Sequence, residues 1–256
     1  MSENSDDNNN DLHIWEPHFD NYKYNEKPPS LRLRSIKPFA MLICSSRNQG
    51  KTVMLRHLYE KQFEARFDLV ILFSQTIGNG FYEQFMGEHK KTFYDEFDEN
   101  VLININNIQE KVRKEKGFYL NILVIFDDCV SESIKHNEEI QNLFTRGRHK
   151  GISICFITQS PTLVKSTWRQ NCTHLIVLRT KGLGLDNLKT NFLLDLIDAE
   201  EIPNNIKPDK YLNQIVKKVF NEKYNALVVE YDKEGNSLND CIFQYKADNK
   251  FKIRRK

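Results

Sequence analysis

The chain has 256 residues and a formal net charge of +2, with 39% hydrophobic, 11% aromatic and 28% charged side chains and a mean hydropathy of −0.60. It is too apolar and aromatic to be wholly disordered, and long enough to bury a real core in one or two domains. The longest apolar run, Phe39–Cys44, is six residues against the roughly 18 of a membrane-spanning helix, and residues 1–20 hold no apolar signal-peptide core, so neither secretion nor membrane insertion is expected.

Residues 1–30 are rich in Asn, Asp and Ser, carry six acids and no Lys or Arg in their first 20 positions, and close on Pro28-Pro29. They read as an acidic tail, disordered or loosely docked. From there apolar runs recur at helix-length intervals: Phe39–Cys44, Leu69–Phe73, Ile122–Phe126, Ile152–Ile157 and Leu175–Leu178. Continuous runs, as opposed to alternation, predict five buried strands of a parallel sheet covered on both faces. The intervening segments predict helices over Lys51–Glu64, around Phe81–Glu88, and over Ile108–Lys116, Ser131–Phe144 and Leu163–Gln170. The class is therefore α/β, an open and mostly parallel sheet flanked by helices. After Arg179 two helices are predicted, Leu185–Leu196 and Pro208–Tyr224, then a β-hairpin of Ala226–Tyr231 and Cys241–Tyr245 about the turn-forming Asp232–Asn236. The organisation is thus a tail (1–30), a core (31–180) and a C-terminal extension (181–256) packed on the core. That extension ends in six bases against Asp248 alone over residues 246–256. The five cysteines are odd in number and lack a CxxC pair, which points to reduced thiols, and the seven histidines form no metal-ligand spacing.

Directly after the first strand comes Ser45-Ser46-Arg47-Asn48-Gln49-Gly50-Lys51-Thr52. It is nearly the phosphate loop G-x-x-x-x-G-K-[ST], in which backbone N–H groups wrap a phosphate, the lysine reaches its outer oxygens and the hydroxyl binds Mg²⁺. Ser45 stands where the first glycine is expected, and a side chain there restricts the backbone. The helix that follows would aim its N-terminal dipole at the phosphates.

A second element is needed, and Ile122–Asp128 supplies it: an apolar strand ending in two adjacent carboxylates. Burial makes that placement costly unless a cation compensates. Asp127 is assigned to the Mg²⁺ shell with Thr52, and Asp128 to orienting or deprotonating an attacking water. The alternative is a strand followed by an Asp-containing helix cap, with Ser131 also able to cap. Gln159 ends the strand Ile152–Ile157, where an amide can sense a γ-phosphate or hold the water; the alternative is a simple turn at Ser160-Pro161. Ahead of that strand, Thr145-Arg146-Gly147-Arg148-His149-Lys150-Gly151 is either a solvated helix end or the source of an arginine, Arg148 ahead of Arg146, that completes a neighbouring subunit's site.

Together, GKT at 50–52, ILVIFDD at 122–128, TRGRHKGIS at 145–153, ITQSP at 157–161 and WRQNCTHLIVLR at 168–179 resemble the packaging ATPases of nucleocytoplasmic large DNA viruses, including the poxvirus type, of the FtsK–HerA branch of P-loop motors. The resemblance implies a RecA-like sheet, nucleotide binding by Gly50, Lys51 and Thr52 within an ATP-binding loop assigned to residues 45–52, Mg²⁺ and hydrolysis chemistry at Asp127 and Asp128, and a polar sensor at Gln159. It further implies a homo-oligomeric ring, a hexamer being one option, that drives double-stranded DNA into a preformed capsid, with capsid or portal-like virion proteins as partners, in the host cytoplasm at the assembly site or in the virion. Ser45 departs from the family's glycine, and Asp128 is one methylene shorter than the glutamate common in the wider branch. Two rivals stand beside this reading: a helicase or other DNA-translocating P-loop ATPase, and a non-catalytic nucleotide-binding assembly protein. DNA contact is assigned either to the basic end Lys250–Lys256, equally readable as a solubilising tail, or to a loop such as that near Ile77–Gly80.

Overall fold

The computed structural model describes residues 12–16, 36–63, 66–77, 82, 91–129, 132–159, 163–194, 202, 206–231 and 241–248. Eight strands form one sheet: β1 (Ala40–Cys44), β2 (Leu69–Ser74), β3 (Lys91–Tyr94), β4 (Ile122–Asp127), β5 (Ile152–Thr158), β6 (His174–Leu178), β7 (Asn225–Glu230) and β8 (Ile242–Lys246). Their order is β3-β2-β4-β5-β1-β6-β7-β8. The first six are parallel, and β7 and β8 add on in antiparallel fashion. The helices are α1 (Lys51–Leu58, continued by a π-turn over Tyr59–Phe63), α2 (Glu99–Lys116), α3 (Glu132–His136), α4 (Glu138–Arg146, followed by a 3-10 turn at Gly147–Lys150), α5 (Ser166–Gln170), α6 (Leu183–Leu188, continued over Lys189–Leu193) and α7 (Pro208–Val219).

The unbroken apolar character of β1 has the cause expected of it. Ala40, Leu42 and Cys44 enter one core with residues of α2, α4, α5 and α7, while Met41 and Ile43 enter another with Met54, Leu55 and Leu58 of α1. Both faces of the sheet are buried. On the first face Phe73, Phe126 and Phe156 are register partners on β2, β4 and β5, with ring centroids 5.0 and 5.5 Å apart, and Trp168 continues the row 5.5 Å from Phe156. This aromatic row lies one residue below the strand ends that carry Ser74, Asp127 and Ile157, and it fixes their relative heights.

Several elements differ from the sequence reading. β3 was not foreseen: Lys91–Tyr94 is four residues long, two polar and then two aromatic, and pairs only with β2 among the described strands. Helix α2 begins at Glu99, nine residues before the expected Ile108, because Asp98 caps it by accepting from the Asn100 N–H at 2.9 Å. Its buried positions Leu102, Ile105 and Gln109 keep helical spacing although the sequence there alternates. The expected helix Ser131–Phe144 is two helices, since Asn137 leaves the helical conformation and caps α4 through the Ile140 N–H at 3.0 Å. Helix α5 is the last part of the expected Leu163–Gln170, and α7 stops at Val219 short of Tyr224. The expected helix near Phe81–Glu88 lies, apart from Tyr82, outside the described residues, as do the hairpin turn 232–236 and the basic end 250–256.

Within the tail, residues 12–16 run beside β8: the Gln244 N–H donates to the His13 carbonyl at 2.8 Å and the Trp15 N–H to the Gln244 carbonyl at 2.9 Å. Trp15 is buried and its indole N–H donates to the buried Glu230 carboxylate at 2.5 Å.

At the amino edge of the sheet, Gln109 ties α2 to the segments before β4 and β5, donating to the carbonyls of Leu120 (2.8 Å) and Lys150 (2.6 Å) and accepting from the Leu120 N–H (3.0 Å). Gly151 permits this closeness. Its φ is +71°, and a Cβ would lie 2.5 Å from the Leu120 carbonyl oxygen. Gly151→Ala should therefore destabilise the fold by about 2 kcal/mol or more, since neither the backbone region nor the carbonyl accommodates a methyl. Chemical denaturation checks this, and an unchanged midpoint would show that the edge is looser than described.

Candidate functional site

The strand order β4-β5-β1 brings the carboxyl ends of three strands side by side, and with them the residues expected of a phosphate site. Such an edge is where open α/β sheets collect ligands. Gly50 caps α1 in the left-handed region (φ 98°, ψ 21°), and the first helical bond runs from the Met54 N–H to the Gly50 carbonyl at 2.9 Å. The helix ladder therefore leaves the N–H groups of Lys51, Thr52 and Val53 unspent at its N-terminus. Gly50 is required twice over. Besides its φ, a Cβ there would lie 2.6 Å from Cδ1 of Tyr224, a residue just ahead of β7 that closes on the loop from the C-terminal extension. The loop is also tied to the end of β6, since the hydroxyls of Ser46 and Thr180 are 3.1 Å apart.

Ser45 sits in the loop without strain. It is buried, its N–H donates to the Thr158 carbonyl at 3.3 Å and its hydroxyl to the Ser46 carbonyl at 2.9 Å. The described non-glycine residues with left-handed backbone are Asn48, Asp128 and Tyr224, not Ser45. The loop's left-handed positions fall on Asn48 and Gly50, which tolerate them, so a serine at the first position costs nothing in backbone conformation. Arg47 and Gln49 contribute to the rim, Arg47 exposed and the Gln49 amide 3.5 Å from the Arg47 carbonyl.

Lys51, Asp128 and Gln159 meet. Lys51 is 7% exposed and its Nζ lies 3.7 Å from Oδ2 of Asp128. The Gln159 side-chain amide donates to that same oxygen at 2.9 Å. Gln159 is therefore more than a turn residue: β5 lies between β1 and β4, and the residue just past its end brings its amide to the carboxylate that the lysine also approaches. Asp128 is held by its own N–H, which donates to the Ile157 carbonyl at 3.2 Å, and by a left-handed backbone (φ 50°) that turns its side chain out of the strand. It is partly open to solvent, as a group that must meet water has to be.

Asp127 is the opposite. It is 5% exposed, Oδ2 accepts the Tyr82 hydroxyl, and Oδ1 is buried with no hydrogen-bond partner. Neither oxygen caps the following helix, which removes the capping alternative for this residue. Burial is the main cause that pushes its carboxyl up to about 6; the Tyr82 hydrogen bond opposes this, Asp128 adds to it and Lys51 opposes it. An orphaned carboxylate oxygen at a strand end, with the half-buried Thr52 in the first turn of α1 and Lys51 nearby, suits a hard divalent cation that brings its own waters and shares phosphate oxygens.

Arg146 and Arg148 are not part of this constellation within the chain. They precede β5 at the amino edge of the sheet, and the seven residues of β5 separate that edge from the site by roughly 20 Å at 3.3 Å per residue. Arg146 is exposed and lines a cleft between α2 and α4 with Asn106, Asn142 and Lys150. Sequence reasoning missed Tyr82 and Tyr224, which no motif marks: Tyr82 is 45 positions from its carboxylate partner. All of the loop suggested for DNA contact after Ile77, residues 78–80, and Ser131, Ser160 and Pro161 lie outside the described residues.

The raised carboxyl fixes a sign for pH dependence. With the folded group near 6 and the free group at 3.8, the folded protein holds this proton more tightly, so its contribution is fully present below about pH 4 and lost as pH rises through 6. In metal-free buffer Asp127→Asn should therefore gain on the wild type between pH 4 and pH 7, by about 2–3 kcal/mol for a shift of this size. Denaturation midpoints at the two pH values check it; a constant difference would contradict a buried, uncompensated carboxylate.

A family model described as the poxvirus A32 protein matches residues 30–241. No curated protein gives a significant match. Among solved structures the chain is similar to B204, the DNA-packaging ATPase from Sulfolobus Turreted Icosahedral Virus, at 14% identity and a TM-score of 0.60 over 84% of this chain and 100% of that one. It is also similar to the genome packaging NTPase B204 from Sulfolobus turreted icosahedral virus 2 in complex with ATP-gammaS, at 14% identity and a TM-score of 0.59 over 82% and 98%. The pCW3 conjugation coupling protein TcpA with ATPgS matches at 16% identity and a TM-score of 0.54 over 92% and 69%. These likenesses show the P-loop NTPase fold. The family match spans the phosphate loop, both carboxylates and the Gln159 strand, and by it the chain belongs to the poxvirus A32 protein family, viral packaging ATPases of the FtsK–HerA type.

Proposed function

We propose that the chain is a Mg²⁺-dependent ATPase motor that couples hydrolysis to movement of double-stranded viral DNA into the capsid during virion assembly. The observation that carries this reading is the convergence of Lys51, Asp128 and Gln159 beside the unsatisfied oxygen of Asp127. Residues 45–52 would wrap the phosphates of ATP, and Lys51 would neutralise the charge that develops on the transferred phosphoryl group. Thr52 and Asp127 would hold Mg²⁺, which when bound supplies charge neutralisation and orients the terminal phosphate. Asp128 would take the proton of the attacking water, and the Gln159 amide keeps its Oδ2 in place.

The distance of Arg146 and Arg148 from their own chain's site favours a cationic contribution in trans, Arg148 ahead of Arg146, hence a homo-oligomeric ring such as a hexamer. The unit of the motor is the core 31–180 with the extension 181–256, whose Tyr224 reaches the phosphate loop. DNA would be met by the basic end 250–256 or by a loop such as 77–80, and capsid or portal-like virion proteins would anchor the ring. It would act at the host cytoplasmic assembly site or in the virion. No described helix is long and apolar enough to cross a membrane.

ATP turnover measured across protein concentration, with and without duplex DNA, tests the reading. Specific activity should rise with concentration as subunits complete one another's sites, rise again with DNA, and fall at least about 100-fold in Lys51→Ala. Turnover in Lys51→Ala equal to wild type would sink the assignment, and activity independent of concentration would remove the arginine in trans.

A further inference from the structure

We propose that Tyr82 is a positioning residue of the metal site: its phenol fixes Oδ2 of Asp127 and so commits Oδ1 to the metal. The inference rests on the ATPase reading above, because it concerns the carboxylate assigned there to Mg²⁺.

A carboxylate is free to turn about its last side-chain bond, and an unrestrained Asp127 would present either oxygen. Tyr82 removes that freedom. Its hydroxyl donates to Oδ2, and its ring is buried in the same core as Leu72, Leu123 and Ile125, so the phenol cannot swing away. The hydroxyls behind it are placed to donate toward the carboxylate. Because Tyr82 donates to Asp127, its oxygen is left to accept, and the Ser74 hydroxyl stands 3.5 Å from it. Ser74 Oγ in turn accepts the Thr76 N–H at 3.3 Å and lies 2.9 Å from the Thr76 hydroxyl. Ser74 is buried and is the register partner of Asp127 across β2 and β4, so the group directly behind the phenol belongs to the sheet itself. Successive donors polarise one another toward the carboxylate.

A purely structural role accounts less well for the arrangement. A buried tyrosine needs one acceptor, and the neutral Ser74 hydroxyl beside it would serve. The phenol instead holds one oxygen of a buried carboxylate whose other oxygen is unsatisfied. A site selected for stability alone would satisfy both oxygens or use none, because a half-satisfied buried acid is costly. Holding one oxygen and leaving its neighbour bare is what a metal ligand requires of the group behind it.

Binding of Mn²⁺, followed by its electron paramagnetic resonance signal in protein saturated with ATP-γ-S, tests the proposal without reliance on turnover. Tyr82→Phe should weaken Mn²⁺ binding roughly tenfold, the lower end of what loss of a group behind a metal ligand costs, while ATP-γ-S binding in chelator stays within about twofold of wild type because the phosphate loop is untouched. Ser74→Ala keeps the phenol but removes its donor, and should weaken Mn²⁺ binding by a smaller factor; it also serves if Tyr82→Phe folds poorly. Unchanged Mn²⁺ affinity in a folded Tyr82→Phe would overturn the proposal, as would equal weakening of metal-free nucleotide binding, which would mark general damage. Asp127→Asn separates the two levels. If it binds Mn²⁺ as tightly as wild type, the metal assignment has failed; if it loses Mn²⁺ and Tyr82→Phe does not, only the role of Tyr82 has.

Discussion

The site depends on one constraint: an ionisable carboxylate, Asp127, stands at the end of an apolar strand with one oxygen buried and unsatisfied. Water cannot solvate it and the protein solvates only half of it, so burial pushes its carboxyl up. Folding bears that cost through the buried strands on either side of β4 and through Tyr82, which lies in the core on the face that the Asp127 carboxylate meets. The neighbouring Asp128 escapes the same cost by a left-handed turn that brings it toward solvent, Lys51 and Gln159. Two adjacent acids thus occupy two environments, one buried and half-satisfied and one open and paired, as the separate roles proposed for them require.

Sheet order explains why those residues meet. The phosphate-loop strand β1 and the carboxylate strand β4 are not neighbours; β5 lies between them and brings Gln159 to the gap. On the other side the chain just after β6 contributes Thr180 to the loop, and the chain ahead of β7 contributes Tyr224, whose ring leaves no space for a side chain at Gly50. The segment after residue 180 is therefore in contact with the phosphate loop, although no motif in it mentions phosphate. At the opposite, amino end of the parallel strands Trp15 is held by Glu230, the last residue of β7 and the register partner of His174.

Much of this was legible in the sequence because the parallel strands are buried on both faces and so appear as apolar runs that end in polar residues. The GKT loop, the paired acids and the glutamine at 159 could all be read from where those runs stop. The edge strand β3 could not, since four residues of mixed polarity with a single partner leave little hydrophobic trace. Nor could the first half of α2, whose Ile103–Asn106 alternates like a strand; the segment is helical because Asp98 caps it and Leu102 and Ile105 find the core. Tyr82 was illegible for a different reason: its meaning comes from β2 and β4 being adjacent, a fact of topology and not of spacing. The worry over Ser45 dissolves in the same way, as the loop's left-handed positions fall on Asn48 and Gly50.

If the orphaned oxygen of Asp127 is a metal ligand beside a phosphate loop, nucleotide and metal should stabilise the fold together. Thermal unfolding at pH 7 with ATP-γ-S alone, Mg²⁺ alone and both tests this most directly. The account predicts a modest rise in Tm with nucleotide, almost none with Mg²⁺ alone and a clearly larger rise with the pair. Equal Tm under all conditions, or a nucleotide effect indifferent to Mg²⁺, would contradict it.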